Sequence, residues 1–139
     1  MNKDLENKLL EDFPWTEAKN VFTGEKLDFS ISCECEDGWY SLIHNFCEEV
    51  KRLYKSKNAN INELTIYQIK EKYGTLRIYL GNCIKGTEQI VQRYEMLSSK
   101  VCEVCGRKGK MRINNGWIKV LCDSCKDKLG YYNIINKRK

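Results

Sequence analysis

The chain has 139 residues, 42% hydrophobic and 31% charged, which excludes a disordered chain and fits one modest domain or one core with a small metal-held appendix. No apolar run approaches the roughly 20 residues that cross a bilayer, and Met1 to Glu6 mix charge without an apolar core, so neither membrane contact nor a secretory signal is expected. The formal charge of +5 is uneven: residues 100–139 carry 11 Lys/Arg against three acids, while residues 1–99 carry 13 against 16, which points to a polyanionic or acidic partner for the C-terminal part.

Residues 3–13 place Leu5, Leu9 and Phe13 at helical spacing ahead of Pro14. Lys26 to Cys33 alternates polar and apolar with period two and predicts a short strand. From Gly38 to Lys55 the pattern predicts a helix capped by Asp37, with Trp39, Ile43, Phe46, Cys47, Val50, Leu53 and Tyr54 on one broad apolar face. After a loop at 57–60, residues 61–70 read as a strand, with Thr65, Tyr67 and Ile69 on one side and Leu64 and Ile66 on the other. Lys72-Tyr73-Gly74 then leads into a second strand, 75–80, with Leu76, Ile78 and Leu80 facing one way. So short a connection requires antiparallel pairing. Thr87 caps a predicted helix to about Ser99 that buries Ile90, Val91, Tyr94 and Leu97. No Gly- or Pro-rich linker follows, so the C-terminal part is expected to dock on what precedes it.

Chemistry concentrates in Cys102-Glu103-Val104-Cys105-Gly106 and Cys122-Asp123-Ser124-Cys125, two Cys-x-x-Cys pairs 16 residues apart. Four soft thiolates at this spacing are the ligand set of a closed, tetrahedral structural Zn2+ site, with no open position for water activation. Between the pairs, 110–113 and 117–121 flank Asn114-Asn115-Gly116, a strong hairpin-turn signal. If 123–129 is helical, ended at Gly130, the order is that of a treble clef; if extended, it is a zinc ribbon.

Cys33, Cys35, His44 and Cys47 hold the residue types of a second Cys3His site, but Cys47 belongs to the apolar helix face and Cys-x-Cys spacing is less specific. Cys83 has no ligand partner in the sequence and reads as a small hydrophobe. One histidine cannot build a metallohydrolase cluster, no serine stands in a nucleophile context, and no glycine pattern matches a phosphate loop. The acidic residues Glu34, Glu36, Asp37, Glu48 and Glu49 read as a solvated face; an enzyme built on them with a divalent metal is the weakest functional reading.

Around the zinc ligands lie Arg107, Lys108, Lys110, Arg112, Lys119, Lys126 and Lys128, with Trp117 among them and Lys137, Arg138 and Lys139 closing the chain. Lysines and arginines can pair with phosphates while an exposed aromatic stacks on a base. The same residues can instead steer an acidic protein partner or simply solubilise the surface, with Trp117 packed inward.

Three segments carry a resemblance: 35–43 (Cys-Glu-Asp-Gly-Trp-Tyr-Ser-Leu-Ile), 68–79 (Gln-Ile-Lys-Glu-Lys-Tyr-Gly-Thr-Leu-Arg-Ile-Tyr), and the four-cysteine pattern with Gly116-Trp117 between its pairs. Together the chain resembles a family of small phage- and prophage-encoded proteins with a C-terminal four-cysteine zinc module. The resemblance implies a context, the cytoplasm of a bacterial host, and carries over no functional residue; Cys35 belongs to the shared pattern, whereas Cys33 and His44 do not stand in it clearly.

The expected architecture is α+β: an N-terminal helix and extended segment (1–24), a helix–β-hairpin–helix body (25–99) and a zinc module with a basic tail (100–139). The expected function is non-catalytic interaction, as a phage- or prophage-encoded adaptor or inhibitor of a bacterial protein. Nucleic-acid binding, to DNA or RNA, through the basic module is the alternative. No small-molecule substrate is expected.

Overall fold

The computed structural model describes residues 1–20 and 22–135; the basic tail Lys137, Arg138 and Lys139 lies outside them. Helix α1 (Lys3–Asp12) starts at Asn2, whose Oδ1 accepts the Leu5 N–H at 2.9 Å. Its inward face carries Leu9, and Phe13 and Trp15 follow it into the core. The buried Glu6 accepts the Cys33 N–H at 2.6 Å, tying the helix to the chain beyond a two-stranded ribbon, β1 (Glu17–Lys19) and β2 (Lys26–Ser30). The predicted strand 26–33 is split. Asp28 takes a left-handed φ of 58°, Leu27 and Phe29 remain exposed, and pairing resumes only at β3 (Cys33–Glu34).

A turn of 3-10 helix at Asp37–Trp39 opens α2 (Tyr40–Ser56). Asp37 does not cap it, because both its carboxylate oxygens are taken by Asn2: the backbone N–H donates at 2.7 Å and the side-chain amide at 2.9 Å. The anticipated apolar face is buried at Trp39, Ile43, Phe46, Cys47, Val50 and Tyr54, with Leu53 half-buried.

Strands β4 (Thr65–Lys72) and β5 (Thr75–Gly81) pair antiparallel as expected, and β3 adds a parallel strand on the free side of β4. The body is therefore β3–α2–β4–β5, with α2 as the crossover that parallel pairing demands, followed by α3 (Thr87–Leu97). Alternation along β4 is broken. Ile66 pairs with Leu80 and Gln68 with Tyr79, so Tyr67 is the extra residue of a bulge. That one-residue slip turns both Ile66 and Ile69 inward, where strict period two would have separated them. Gly86, at φ 102°, precedes α3 in the place anticipated for Thr87, which is fully buried as the first helical residue; Leu97 is exposed instead of covered.

The C-terminal module is a second three-stranded sheet, β6 (Lys110–Asn114), β7 (Trp117–Leu121) and β8 (Tyr132–Asn133), in the order β7–β6–β8, with α4 (Asp123–Leu129) between the last two. Both long hairpins turn on two residues with positive φ, Tyr73 (52°) and Gly74 (84°) in the body, Asn115 (48°) and Gly116 (84°) in the module. This is the turn geometry whose twist matches paired strands.

Candidate metal centre

The first ligand pair lies on a knuckle closed by the Gly106 N–H donating to the Cys102 carbonyl at 2.9 Å. The second lies at the start of α4: Cys122 is its N-cap and Cys125 sits in its first turn. Knuckle, hairpin and ligand-bearing helix in this order make the treble-clef alternative the observed one. All four Sγ atoms lie within 4.8 Å of one another, and those of Cys105 and Cys122 are 3.5 Å apart. Tetrahedral coordination with Zn–S bonds near 2.3 Å requires sulfur separations of about 3.8 Å, so a single ion fits with little adjustment.

Electrostatics favour the same conclusion. The Cys125 N–H, 3.4 Å from the Cys122 sulfur, is the main cause holding that thiol down to about 7, whereas burial and the adjoining sulfurs push Cys125 up to about 12. Once one thiolate forms, its neighbours resist ionising, and a divalent cation removes that conflict. The cluster fits one structural Zn2+. Every position is protein-filled, and zinc bound there fixes the knuckle to the helix.

Sequence reasoning missed the residue between the ligands. Glu103 is buried, and the body grips it at both main chain and side chain. Its carbonyl accepts the Gly38 N–H at 2.7 Å, one carboxylate oxygen accepts the Glu36 N–H at 3.1 Å, and the other meets Lys119 Nζ at 3.3 Å. Burial raises its carboxyl above the ordinary glutamate value, against the pull of Lys119. Trp39 Nε1 donates to the Val101 carbonyl at 2.9 Å beside it. Gly38 allows the approach: a Cβ there would lie 2.3 Å from the Cys102 carbonyl oxygen. A second contact lies at the hairpin turn, where a Cβ on Gly74 would meet Ile118 Cγ2 at 2.7 Å. The module is docked as anticipated, and the Asp-Gly-Trp and Tyr-Gly segments singled out in the sequence are the places where it docks. The signal available was the glycine beside a tryptophan at a helix start.

Among the described residues only these four cysteines bring three or more metal-ligating side chains together. Cys33, Cys35 and Cys47 are core residues; burial pushes the Cys33 thiol up to about 12 and raises the other two as well. His44 is held elsewhere, Nε2 at 3.1 Å from Asp12 Oδ2 and its ring edge-on to Phe13. Cys83 packs half-buried against the core. The acidic residues are dispersed: Asp37 on Asn2, Glu34 near Gln68, Glu49 on Tyr94 and Arg93.

The basic patch needs one correction. Arg112 is only 4% exposed and spans the module, its guanidinium donating to the Leu121 carbonyl, to Asp123 at 2.8 Å and to Asn133. It is an internal tie unavailable to a partner. Lys119 is half-buried on Glu103, and Lys126 pairs with Asp127 at 3.1 Å. Arg107, Lys108, Lys110 and Lys128 are exposed. Trp117 is not packed inward: it is 76% exposed, and with Tyr73, 74% exposed, it lines a cleft of about 570 Å³ between the two hairpin turns, together with Lys70 and Lys72.

No protein-family model, curated protein or solved structure matches this chain. No helix among the described residues is long and apolar enough to cross a membrane.

Proposed function

We propose that the chain is a non-catalytic recognition protein that binds another protein, acting in a bacterial cytoplasm as a phage- or prophage-encoded adaptor or inhibitor. The observation that carries this reading is the cleft between the hairpin turns. Tyr73 and Trp117 are large, exposed aromatics on two separate sheets, held in fixed relation by the Glu103 and Gly74 contacts. Tyr73 also occupies a left-handed backbone position that bulky residues rarely adopt. The hairpin turn requires that conformation, and it holds the exposed ring in place; rigid aromatics are the usual anchors of protein interfaces. The closed thiolate site, with four protein ligands, supplies rigidity to this arrangement.

A second reading, nucleic-acid binding, draws on Arg107, Lys108, Lys110 and Lys128 beside the exposed Trp117, but the loss of Arg112 and the pairing of Lys119 weaken it. Immobilised, zinc-loaded protein exposed to nuclease-treated bacterial lysate separates the two. Stoichiometric retention of one protein, lost in Tyr73→Ala and Trp117→Ala variants of unchanged fold, supports the first. Retention of none, with salt-sensitive oligonucleotide binding that falls on charge reversal at Arg107, Lys108 and Lys110, overturns it in favour of the second.

A further inference from the structure

On the body, α3 and the edge strand β5 enclose a groove of about 660 Å³. Its walls carry Arg77 from β5, Arg93, Glu95, Met96 and Leu97 from α3, and Lys100 just beyond. Met96 is 75% exposed and Leu97 is exposed beside it, two adjacent apolar side chains at a helix end with no cover. Arg77 is half-buried, and its Nε is buried with no hydrogen-bond acceptor. That nitrogen is itself closed to solvent, so an acceptor from outside must meet the rest of the guanidinium, which pairs with no carboxylate among the described residues.

The neighbouring charges are committed elsewhere or positive. Arg93 pairs with Glu49, and Glu95 Oε2 accepts the Ile78 N–H at 3.0 Å; neither carboxylate serves Arg77. Lys100 is exposed and, among the described residues, unpaired. The groove thus presents two uncommitted cations beside two apolar side chains. The strand edge itself is shut, because Ser98 Oγ accepts the Leu76 N–H at 2.9 Å and Glu95 accepts that of Ile78. A partner cannot extend the sheet there by backbone pairing, so it must engage the groove through its side chains.

We infer that this groove receives an acidic segment of the partner protein, a carboxylate on the Arg77 guanidinium with Lys100 beside it and an apolar side chain on Met96 and Leu97. The inference rests on the reading that the chain binds a protein, and it names the chemistry of what is bound. Arginine favours a carboxylate through paired, charge-assisted hydrogen bonds. The apolar pair favours a peptide over a sugar–phosphate backbone.

The test titrates the zinc-loaded, 15N-labelled 139-residue chain with a capped pentapeptide of three aspartates and two leucines, with its lysine counterpart, and with oligothymidylate. Saturable shifts of the amides of residues 75–78 and 92–100 and of the Arg77 Nε–H, with the acidic peptide alone, are expected. Arg77→Gln should weaken binding about tenfold or more, the scale of one charge-assisted contact. Met96→Glu, at a position too exposed to disturb folding, should weaken it several-fold. Absence of shifts at millimolar acidic peptide overturns the inference. So do equal shifts with the lysine peptide, tighter binding of oligothymidylate to the same amides, or concentration-dependent shifts of the free chain that reveal a second copy in the groove. Lysate capture that succeeds but ignores Arg77→Gln also defeats it, while leaving the protein-binding reading intact; capture of no protein defeats that reading whatever the peptide does.

Discussion

Trp39, Phe46, Tyr54 and Ile69 lie in a continuous apolar cluster to which α1, α2, α3 and the β3–β4–β5 sheet all contribute, whereas the module's buried cluster is Cys102, Cys122, Cys125 and Leu121, flanked by Val104 and Tyr131. Remove the ligands and only Leu121, with Val120 beside it on β7, remains fully buried and apolar in the module. Burying the two contributes about 3–6 kcal/mol, while ordering about 30 residues of backbone costs at least 1 kcal/mol for each. The body is folded by its apolar side chains, and the module by a metal that replaces the core it lacks. A three-stranded sheet in each part conceals opposite sources of stability.

The largest expected effect comes from attacking the metal. Cys102→Ser, or a strong chelator, should abolish zinc content and collapse amide dispersion across 101–133, because structural zinc contributes about 10–16 kcal/mol of apparent binding energy in small modules. The helical signal of α1 and α2 should persist, as measured by circular dichroism and 15N NMR. A module that stays folded without zinc would erase the contrast.

An intermediate effect should follow at the junction. Gly38→Val places carbon against the Cys102 and Glu103 carbonyl oxygens, where even a Cβ would sit 2.3 and 2.4 Å away, and such overpacking costs about 1–3 kcal/mol. Zinc should remain bound while urea unfolding, followed separately in each part by NMR, splits into two transitions. A single unshifted transition would show that the contact is not what couples them.

The smallest effect belongs to a surface tie within the body. Burial opposes ionisation of Glu49, but the Tyr94 hydroxyl at 2.8 Å and Arg93 together hold its carboxyl below the usual glutamate value of 4.5. That stabilisation is fully present above about pH 4.5 and is lost as pH falls through the folded-state value. Glu49→Gln should cost under about 1 kcal/mol at neutral pH and should flatten the acid limb of body stability. Zinc content at neutral pH should not change. A loss that grows as the pH is lowered would reverse the sign and refute the assignment.

Much of this was legible in the sequence because it is local. The four ligands, the Asn-Gly turn and the apolar stripe of α2 are patterns within one element, and the structure places them as the patterns require. What failed depends on residues distant along the chain. Asp37 looks like a cap until Asn2 arrives from 35 positions away. Period two along β4 holds only until the bulge at Tyr67, which the pairing with β5 imposes. Arg112 reads as one more surface cation, yet the Leu121 carbonyl, Asp123 and Asn133 converge on it from three elements. Glu103 is the clearest case, since its meaning lies in the Glu36 and Gly38 amides on the other side of the junction.

Glu103 stands inside the metal knuckle, so whatever holds it also holds the chain between Cys102 and Cys105. The folded body therefore acts as a mould for half of the coordination sphere, arranging two ligands before an ion arrives. Part of the entropy that an isolated finger must lose on capturing zinc is here already lost on folding. By reciprocity, an ion in the site tightens the grip of the body on the knuckle. The full chain should accordingly retain zinc against a competing chelator that strips an excised 100–139 peptide.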